Sequence, residues 1–445
     1  MSLATGIQAC GNHWQILCGS EMNKLCVPLL SAAATNTSRF GAKAANLAGL
    51  GRIGLPVPGG FAIDAQAYRI QLAALGLERA ARCVVKVPDW EARRYALQVR
   101  LGLMDGPITE SIIDPLRAVW HEIMQTPGAT GGVRSSATVE DRAGSSFAGQ
   151  FESFLGLDNE ADFLTAVRSC WAALWSPRAL RYMAGCGLDP ADAAMGLLIQ
   201  PLIPACVSGG GLSRGAEGEM IISSTWGLGS AIAQGEVVPD RIVLGRDLTV
   251  REISAGRKFH RVGCAHGKQL VETALIGEPC LTIEEAVQLG RMLLKSEIVV
   301  GGPAEIEWAK DDAGFTLLQA RPLSVGEKQC NPEPISPTRM RLRGHPAGIG
   351  FASGRACVVS CECELSRVGV GDILVSKVAG PALGSMFSRV AGVVAELGGS
   401  TSHLASLARE RGVPMVLGVR DATGRIPEGA IVTLDGVAGI VHWSC

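Results

Sequence analysis

Six side chains in this sequence are of the types needed to move a phosphoryl group: Lys43, Arg134, Arg321, Glu307, Gln319 and His403. Fixed cations neutralise phosphate oxygens, carboxylate and amide oxygens suit Mg²⁺, and a neutral imidazole can attack phosphorus. His403 closes the string Gly398-Gly399-Ser400-Thr401-Ser402-His403. Two glycines end the apolar run Val393-Val394-Ala395-Glu396-Leu397, Ser and Thr stand at N-cap positions, and apolar residues then recur at helical spacing. The pattern predicts strand, tight turn and helix. His403 falls in the first helical turn, where unpartnered N–H groups and the positive end of the dipole disfavour imidazolium and welcome an anion. A nucleophilic imidazole held where a phosphoryl group would sit is what a phosphohistidine intermediate needs. The alternative is a histidine serving only as a polar first-turn residue.

Arg134 lies in Gly131-Gly132-Val133-Arg134-Ser135-Ser136-Ala137-Thr138-Val139-Glu140-Asp141, and Ser146-Phe147-Ala148-Gly149-Gln150 follows shortly after. A strand delivering a guanidinium into a cluster of hydroxyls and carboxylates can meet a triphosphate; a buried arginine in a polar loop gives a similar string. Lys43 follows a glycine turn at the start of a small-residue helix, a place where lysines are also ordinary solvated charges. Glu305 and Glu307 alternate with apolar residues in Ala304-Glu305-Ile306-Glu307-Trp308-Ala309, which puts both on one face of a strand. A short antiparallel return through Leu317-Leu318-Gln319-Ala320-Arg321-Pro322 brings Gln319 and Arg321 alongside. That face can hold Mg²⁺ and the phosphates it bridges, or it can be cross-strand salt bridging.

These strings resemble the family that includes phosphoenolpyruvate synthase, pyruvate phosphate dikinase and rifampicin phosphotransferase. The family's Gly-Gly-x-Thr-x-His, continued by Ala-Arg-Glu-x-Gly-x-Pro, is met by Gly398, Gly399, Thr401, His403, Ala408, Arg409, Glu410, Gly412 and Pro414. Its Val-Arg-Ser-Ser-Ala-x-x-Glu-Asp, Ser-Phe-Ala-Gly-Gln, Gln-Gly-x-Val-x-Pro-Asp (Gln234 to Asp240) and Leu-Gln-Ala-Arg-Pro strings are also present. The resemblance implies that His403, with Thr401 beside it, carries the phosphoryl group. It further implies that Lys43, Arg134, Gln234 and Arg321 contact ATP and that Glu307 and Gln319 hold Mg²⁺. Three positions depart from the pattern: Ala42 replaces a glycine, Leu212 a phenylalanine near the base pocket, and Ser230 a glutamate.

The elements that must position these groups follow from the rest of the chain. A length of 445 residues, 47% hydrophobic, suits two or three domains. With 41 basic and 42 acidic residues the formal charge is −1, which offers no electrostatic case for nucleic acid or an anionic membrane. Fifty-six glycines suit a loop-rich α/β enzyme that approaches phosphates closely. The fourteen cysteines lack a repeated CxxC spacing, so they are expected to be reduced structural thiols in a cytoplasmic protein, with Cys361 and Cys363 the one close pair. Leu25 to Ala34 reads as a first buried strand rather than a signal peptide, and no run approaches the roughly 18 apolar residues of a membrane span.

The fold expected is α/β in a multidomain α+β arrangement. Residues 20–325 form a two-lobed ATP-grasp domain, with lobes of about 20–190 and 191–325. A linker at 326–340 leads to a compact β/β/α phosphohistidine swivelling domain at 341–445. Helices are expected over Glu91–Leu103, Ile108–Met124, Trp171–Met183 and Leu281–Ile298, and a polar loop with solvated His260 and His266 over Arg257–Ala274.

The combination implies a relay: ATP and Mg²⁺ bind between the lobes, His403 takes a phosphoryl group, and the carrier domain moves to a small-molecule acceptor. The relatives' acceptor-binding domains have no counterpart here. The acceptor is therefore expected on a partner subunit, at a homodimer interface or in the cleft between the domains. A condensing enzyme forming a C–N bond with the same domains and an ATP-binding regulator with a dead relay are the other classes. Retention of all six groups argues against the second.

Overall fold

The computed structural model describes residues 25–141, 146–263, 268–323 and 340–444. The expected linker, Glu327 to Pro337, and His266 lie outside the described residues. The chain divides into two compact units, one comprising the residues up to Ile53 with Pro58–Glu140 and Phe151–Leu202. The other takes Gly54–Val57, Asp141–Gln150 and everything from Ile203 onward.

The first unit is built on a five-stranded sheet of β1 (Cys26–Pro28), β2 (Phe61–Ile63), β3 (Gly131–Ala137), β4 (Ser153–Leu157) and β5 (Met195–Pro201), in the order β1-β2-β5-β3-β4. Leu197, Leu198 and Ile199 of the central β5 are wholly buried, as a strand covered on both faces requires. Strand β5 pairs inside this sheet, and the first unit runs through Leu202. Helices cover Asp89–Asp105 and Glu110–Ile123. The single helix expected over Trp171–Met183 is two, Glu160–Ala173 and Pro177–Gly185. Ser176 caps the second by accepting from the Ala179 N–H, and Pro177, with no N–H to lose, stands at its first turn.

The second unit contains a six-stranded antiparallel sheet of β6 (Val207–Leu212), β7 (Met220–Trp226), β8 (Asp240–Leu244), β9 (Val250–Ser254), β12 (Ala304–Asp311) and β13 (Gly314–Pro322), ordered β13-β12-β6-β7-β8-β9. Between them β10 (His260–Val262) and β11 (Lys268–Leu270) pair as a hairpin, so the expected polar loop is a strand pair and half-buried His260 sits 3.4 Å from Glu236. Asp240, at the end of the Gln-Gly-x-Val-x-Pro-Asp string, is a buried junction: it accepts from Ser224 Oγ, Gly256 N and Cys280 N and pairs with the fully buried Lys258. The helix Ile283–Val300 opens on a capping box from Thr282 and Glu285.

The same unit holds an eight-stranded sheet of β14 (Met340–Arg343), β15 (His345–Gly348), β16 (Phe351–Val359), β17 (Ile373–Ser376), β18 (Gly392–Ala395), β19 (Met415–Leu417), β20 (Ile431–Asp435) and β21 (Ile440–Trp443). Strands β16, β17, β18 and β19 run parallel, and β17 and β18 are apolar and fully buried, which is the signature of a parallel centre. Cys361 and Cys363 are joined in a disulfide, their Cα atoms 5.4 Å apart, so the expectation of reduced thiols fails at this pair. Two residues flanking a single one lie within bridging distance, which a spacing rule looking for CxxC passes over. The described free thiols include buried Cys170 and Cys280; burial pushes both upward and pushes Cys26 to about 12, which leaves them inert. Among the described residues no helix is long and apolar enough to cross a membrane.

Candidate functional site

In the first unit, Lys43 and Arg134 are set by backbone. Asn36 caps the helix Thr37–Arg52 by accepting from the Ser38 and Arg39 N–H groups, but Gly41, at φ +76°, breaks its regularity. There the chain passes so close to β3 that a Cβ on Gly41 would run into the Ser136 carbonyl, while the Ala44 N–H donates to Ser136 Oγ at 3.1 Å. Helix geometry resumes just before Lys43, whose Nζ donates to the Ser135 carbonyl at 2.7 Å and lies 3.4 Å from Glu140. Glu140 in turn accepts from the Ala137 N–H at 2.7 Å. Half-buried Arg134 precedes Ser135 on that strand. The Val-Arg-Ser-Ser-Ala-x-x-Glu string thus builds the floor for Lys43 as well as carrying its own arginine.

In the second unit, the β12–β13 hairpin turns through Asp311 and Gly314 and its register pairs Glu305 with Arg321 and Glu307 with Gln319. Opposed residues of an antiparallel pair point to one face, so all four share it. On the other side of β12, Glu307 faces Gly210 and Glu305 faces Leu212. Leu212, in the position where the resemblance has phenylalanine, packs with Ile221 and Leu323. Arg321 Nη2 donates to Glu305 at 3.0 Å, and Arg409 of the His403 helix donates to the other oxygen of Glu305, also at 3.0 Å. Burial pushes Glu305 up, and the two guanidiniums more than reverse it, holding its carboxyl below the usual range. Burial draws Arg321 down, but Glu305 and Asp141 outweigh it and leave Arg321 raised; for Arg409 burial wins and the guanidinium is lowered. Among the described residues no cluster of three or more His, Cys, Asp or Glu side chains could hold a metal ion. A carboxylate and an amide oxygen side by side, Glu307 and Gln319, nevertheless fit Mg²⁺, which takes its remaining ligands from water and phosphate.

The histidine follows the expected geometry. Strand β18 ends at Ala395, Gly398 turns at φ +99°, and the helix His403–Arg411 begins at His403 with Ser402 as N-cap, accepting from the Ala405 N–H at 3.2 Å. Gly412, in the left-handed conformation, closes the helix. Arg409 Nη1 reaches back to the Ser400 carbonyl at 2.5 Å, and Ser400 Oγ donates to the Pro346 carbonyl at 2.7 Å, so the helix braces the turn that presents its own first residue. A Cβ on Gly210 would stand 2.7 Å from the Thr401 Cβ, which places the turn over the face of the sheet that bears Glu307 and Gln319. A Cβ on Gly149 would stand 3.3 Å from the His403 Cβ and 3.4 Å from its ring. Thr401 Oγ1 is buried and finds no hydrogen-bond partner among the described residues, which leaves it ready to donate to an incoming phosphoryl oxygen.

Gln234 is exposed at the end of the short helix Ser230–Ala233. Ser230 begins that helix with its Oγ buried and unpartnered among the described residues. Glu305, Arg409, Glu410, Ser146, Gly149 and Gly210 complete the site and were not singled out from sequence as site residues. For Ser146, Gly149, Arg409 and Glu410 the signal was their place inside the matched strings; what each of the six touches is a tertiary fact.

Residues 37–341 match the family model described as pyruvate phosphate dikinase, AMP/ATP-binding domain, and residues 368–439 match PEP-utilising enzyme, mobile domain. Among curated proteins, the phosphoenolpyruvate synthase of Pyrococcus furiosus is 28% identical over 95% of this chain and 58% of its own length. That of Aeropyrum pernix is 31% identical over 96% of this chain and 58% of its own, and that of Escherichia coli K12 is 29% identical over 92% and 56%. The chain therefore spans little more than half the length of these curated relatives.

Proposed function

We propose, from the premise that this chain belongs to the pyruvate phosphate dikinase AMP/ATP-binding family and carries the family's mobile domain, that it is an ATP-dependent phosphotransferase working through phospho-His403. The observation that carries this reading is the seat of Thr401 over Gly210, directly across the strand from Glu307. Thr401, two residues before a histidine at a helix start and with its hydroxyl unpartnered among the described residues, lies over a carboxylate and an amide fit for Mg²⁺.

Lys43, Arg134 and Arg321 offset phosphate charge as it develops. Glu307 and Gln319 would hold Mg²⁺, which when bound would supply positive charge to offset that of the phosphates. His403 forms an N–P bond to the β-phosphorus as the bond to the oxygen of AMP breaks, and water takes the γ-phosphoryl group as orthophosphate. Thr401 donates to the transferred group, and the helix N-terminus holds its charge. Phospho-His403 then gives the group to a small-molecule acceptor, brought by a partner subunit, a second copy of the chain or a further domain. Domain movement between the two events limits turnover. We place the protein in the cytoplasm, where ATP and Mg²⁺ are at hand.

Intact-protein mass spectrometry at neutral pH after incubation with ATP and Mg²⁺, with nucleotide analysis of the supernatant, tests the proposal. One acid-labile phosphoryl group on the chain together with AMP is the expected result. His403→Ala should remove the adduct completely while ATP still binds. An adduct that survives that substitution, or ADP as the sole nucleotide product, rejects the relay.

A further inference from the structure

The matched family string continues past His403 into Ala408-Arg409-Glu410, and the phosphotransfer chemistry gives the last two residues no task. Both are turned toward the nucleotide-binding part of the second unit. Arg409 is buried and donates to Glu305 Oε2, while Glu305 Oε1 is held by Arg321. Ser406, one turn earlier on the helix, lies 3.3 Å from the same Glu305 oxygen. Glu410 accepts both the N–H of Ser146, at 3.2 Å, and the Ser146 hydroxyl, in a short hydrogen bond. Ser146 opens the Ser-Phe-Ala-Gly-Gln string, whose Gly149 abuts His403 and whose Phe147 is held at φ +53°, a conformation a bulky side chain adopts only when its surroundings impose it. Two adjacent residues of opposite charge on one helix therefore reach two separate segments.

We infer that Arg409 and Glu410 are positioning residues that clamp the His403 helix onto the nucleotide sheet, Arg409 through Glu305 and Glu410 through Ser146. The inference rests on the phosphotransfer reading for its purpose but not for its geometry. Glu305 is shared between Arg321 and the carrier helix, so its loss releases an arginine proposed for ATP as well as the clamp. Arg409 also braces the Ser400 turn. Glu410 is bonded to Ser146 rather than through Glu305, which makes it the informative residue to change. Gly210 supplies an independent handle: the atoms nearest to a Cβ placed there all belong to Thr401, so Gly210→Ala opposes the docked arrangement.

The test is hydrogen exchange by mass spectrometry on the full chain, paired with the single-turnover rate of His403 phosphorylation by ATP. Glu410→Ala should raise exchange in peptides covering 146–150 and 397–411, leave Ile373–Ser376 and Gly392–Ala395 of the swivelling core at wild-type rates, and slow phosphorylation roughly tenfold or more with ATP affinity unchanged. Glu410→Gln, whose amide oxygen still accepts from Ser146, should stay near wild type, and Gly210→Ala should behave as Glu410→Ala does. Wild-type exchange and rate in both Glu410→Ala and Gly210→Ala overturn the clamp. Equal loosening of the two core strands in Glu410→Ala also overturns it, because the residue would then be a part of the domain's fold. Absence of an adduct on the unmodified chain rejects the phosphohistidine relay instead, and the exchange result still decides the clamp.

Discussion

The two units hold their charged groups by different means. In the first, Lys43 rests on a backbone carbonyl, and the helix that carries it is keyed to β3 through Gly41 and Ser136. In the second, Glu305, Arg321, Arg409, Glu410 and Ser146 are joined mainly through side chains drawn from segments far apart in sequence. The close fit of Gly41 against β3 is a matter of backbone and cannot be exchanged without local unfolding, whereas side-chain ion pairs can be broken and made again by rotation. On the proposed relay, a phosphate-binding lysine has to stay where it is, and a carrier histidine has to leave. The difference in construction follows the difference in task.

Three perturbations would break or sharpen this contrast. The largest effect is expected from Gly41→Ala, which forces a left-handed φ on an L residue and drives a Cβ into the Ser136 carbonyl; a loss of about 3 kcal/mol or more, read by denaturant unfolding, should accompany loss of ATP affinity. Stability within about 0.5 kcal/mol of the parent would mean that the backbone key is dispensable. Next, Glu307→Ala should leave the unfolding midpoint nearly unchanged and weaken Mg²⁺-dependent nucleotide binding about 10- to 100-fold by calorimetry; unchanged affinity refutes the metal assignment.

The smallest effect concerns His345 on β15, which burial, with Arg241 and Arg257, lowers to about 4 against the opposing pull of Glu252 and Asp240. A base depressed in the folded state is neutral there, so its contribution is complete above the unfolded value near 6.5 and is lost as pH falls toward 4. Melting temperature measured from pH 7.5 to 4.5 should fall along that window, by an amount equivalent to roughly 1–2 kcal/mol, and His345→Asn should flatten the dependence. An identical slope in the variant assigns the acid sensitivity elsewhere.

What could be read from the chain alone follows from locality. The β12–β13 pairing was legible because period-two alternation and a tight turn fix a register within some twenty residues, as Glu305 opposite Arg321 and Glu307 opposite Gln319 demonstrate. The turn and helix at His403 were legible for the same reason. The break before Pro177 was also within reach, since Ser-Pro is a helix start, but apolar spacing continuing across it masked the signal. The hairpin at His260 was missed because its strands are short and polar, and the disulfide because spacing rules look for wider pairs. Arg409 and Glu305 are separated by a hundred residues of chain, and no local rule links them. Gly210 opens the space in which Thr401 sits, a contact across nearly two hundred residues that no local rule supplies.

Gly149 carries two demands at once. Its φ of +65° disfavours side chains on grounds of handedness, and a Cβ there would press on the His403 Cβ at 3.3 Å. A side chain at this position therefore carries two costs at once, one paid by its own backbone and one by the histidine beside it.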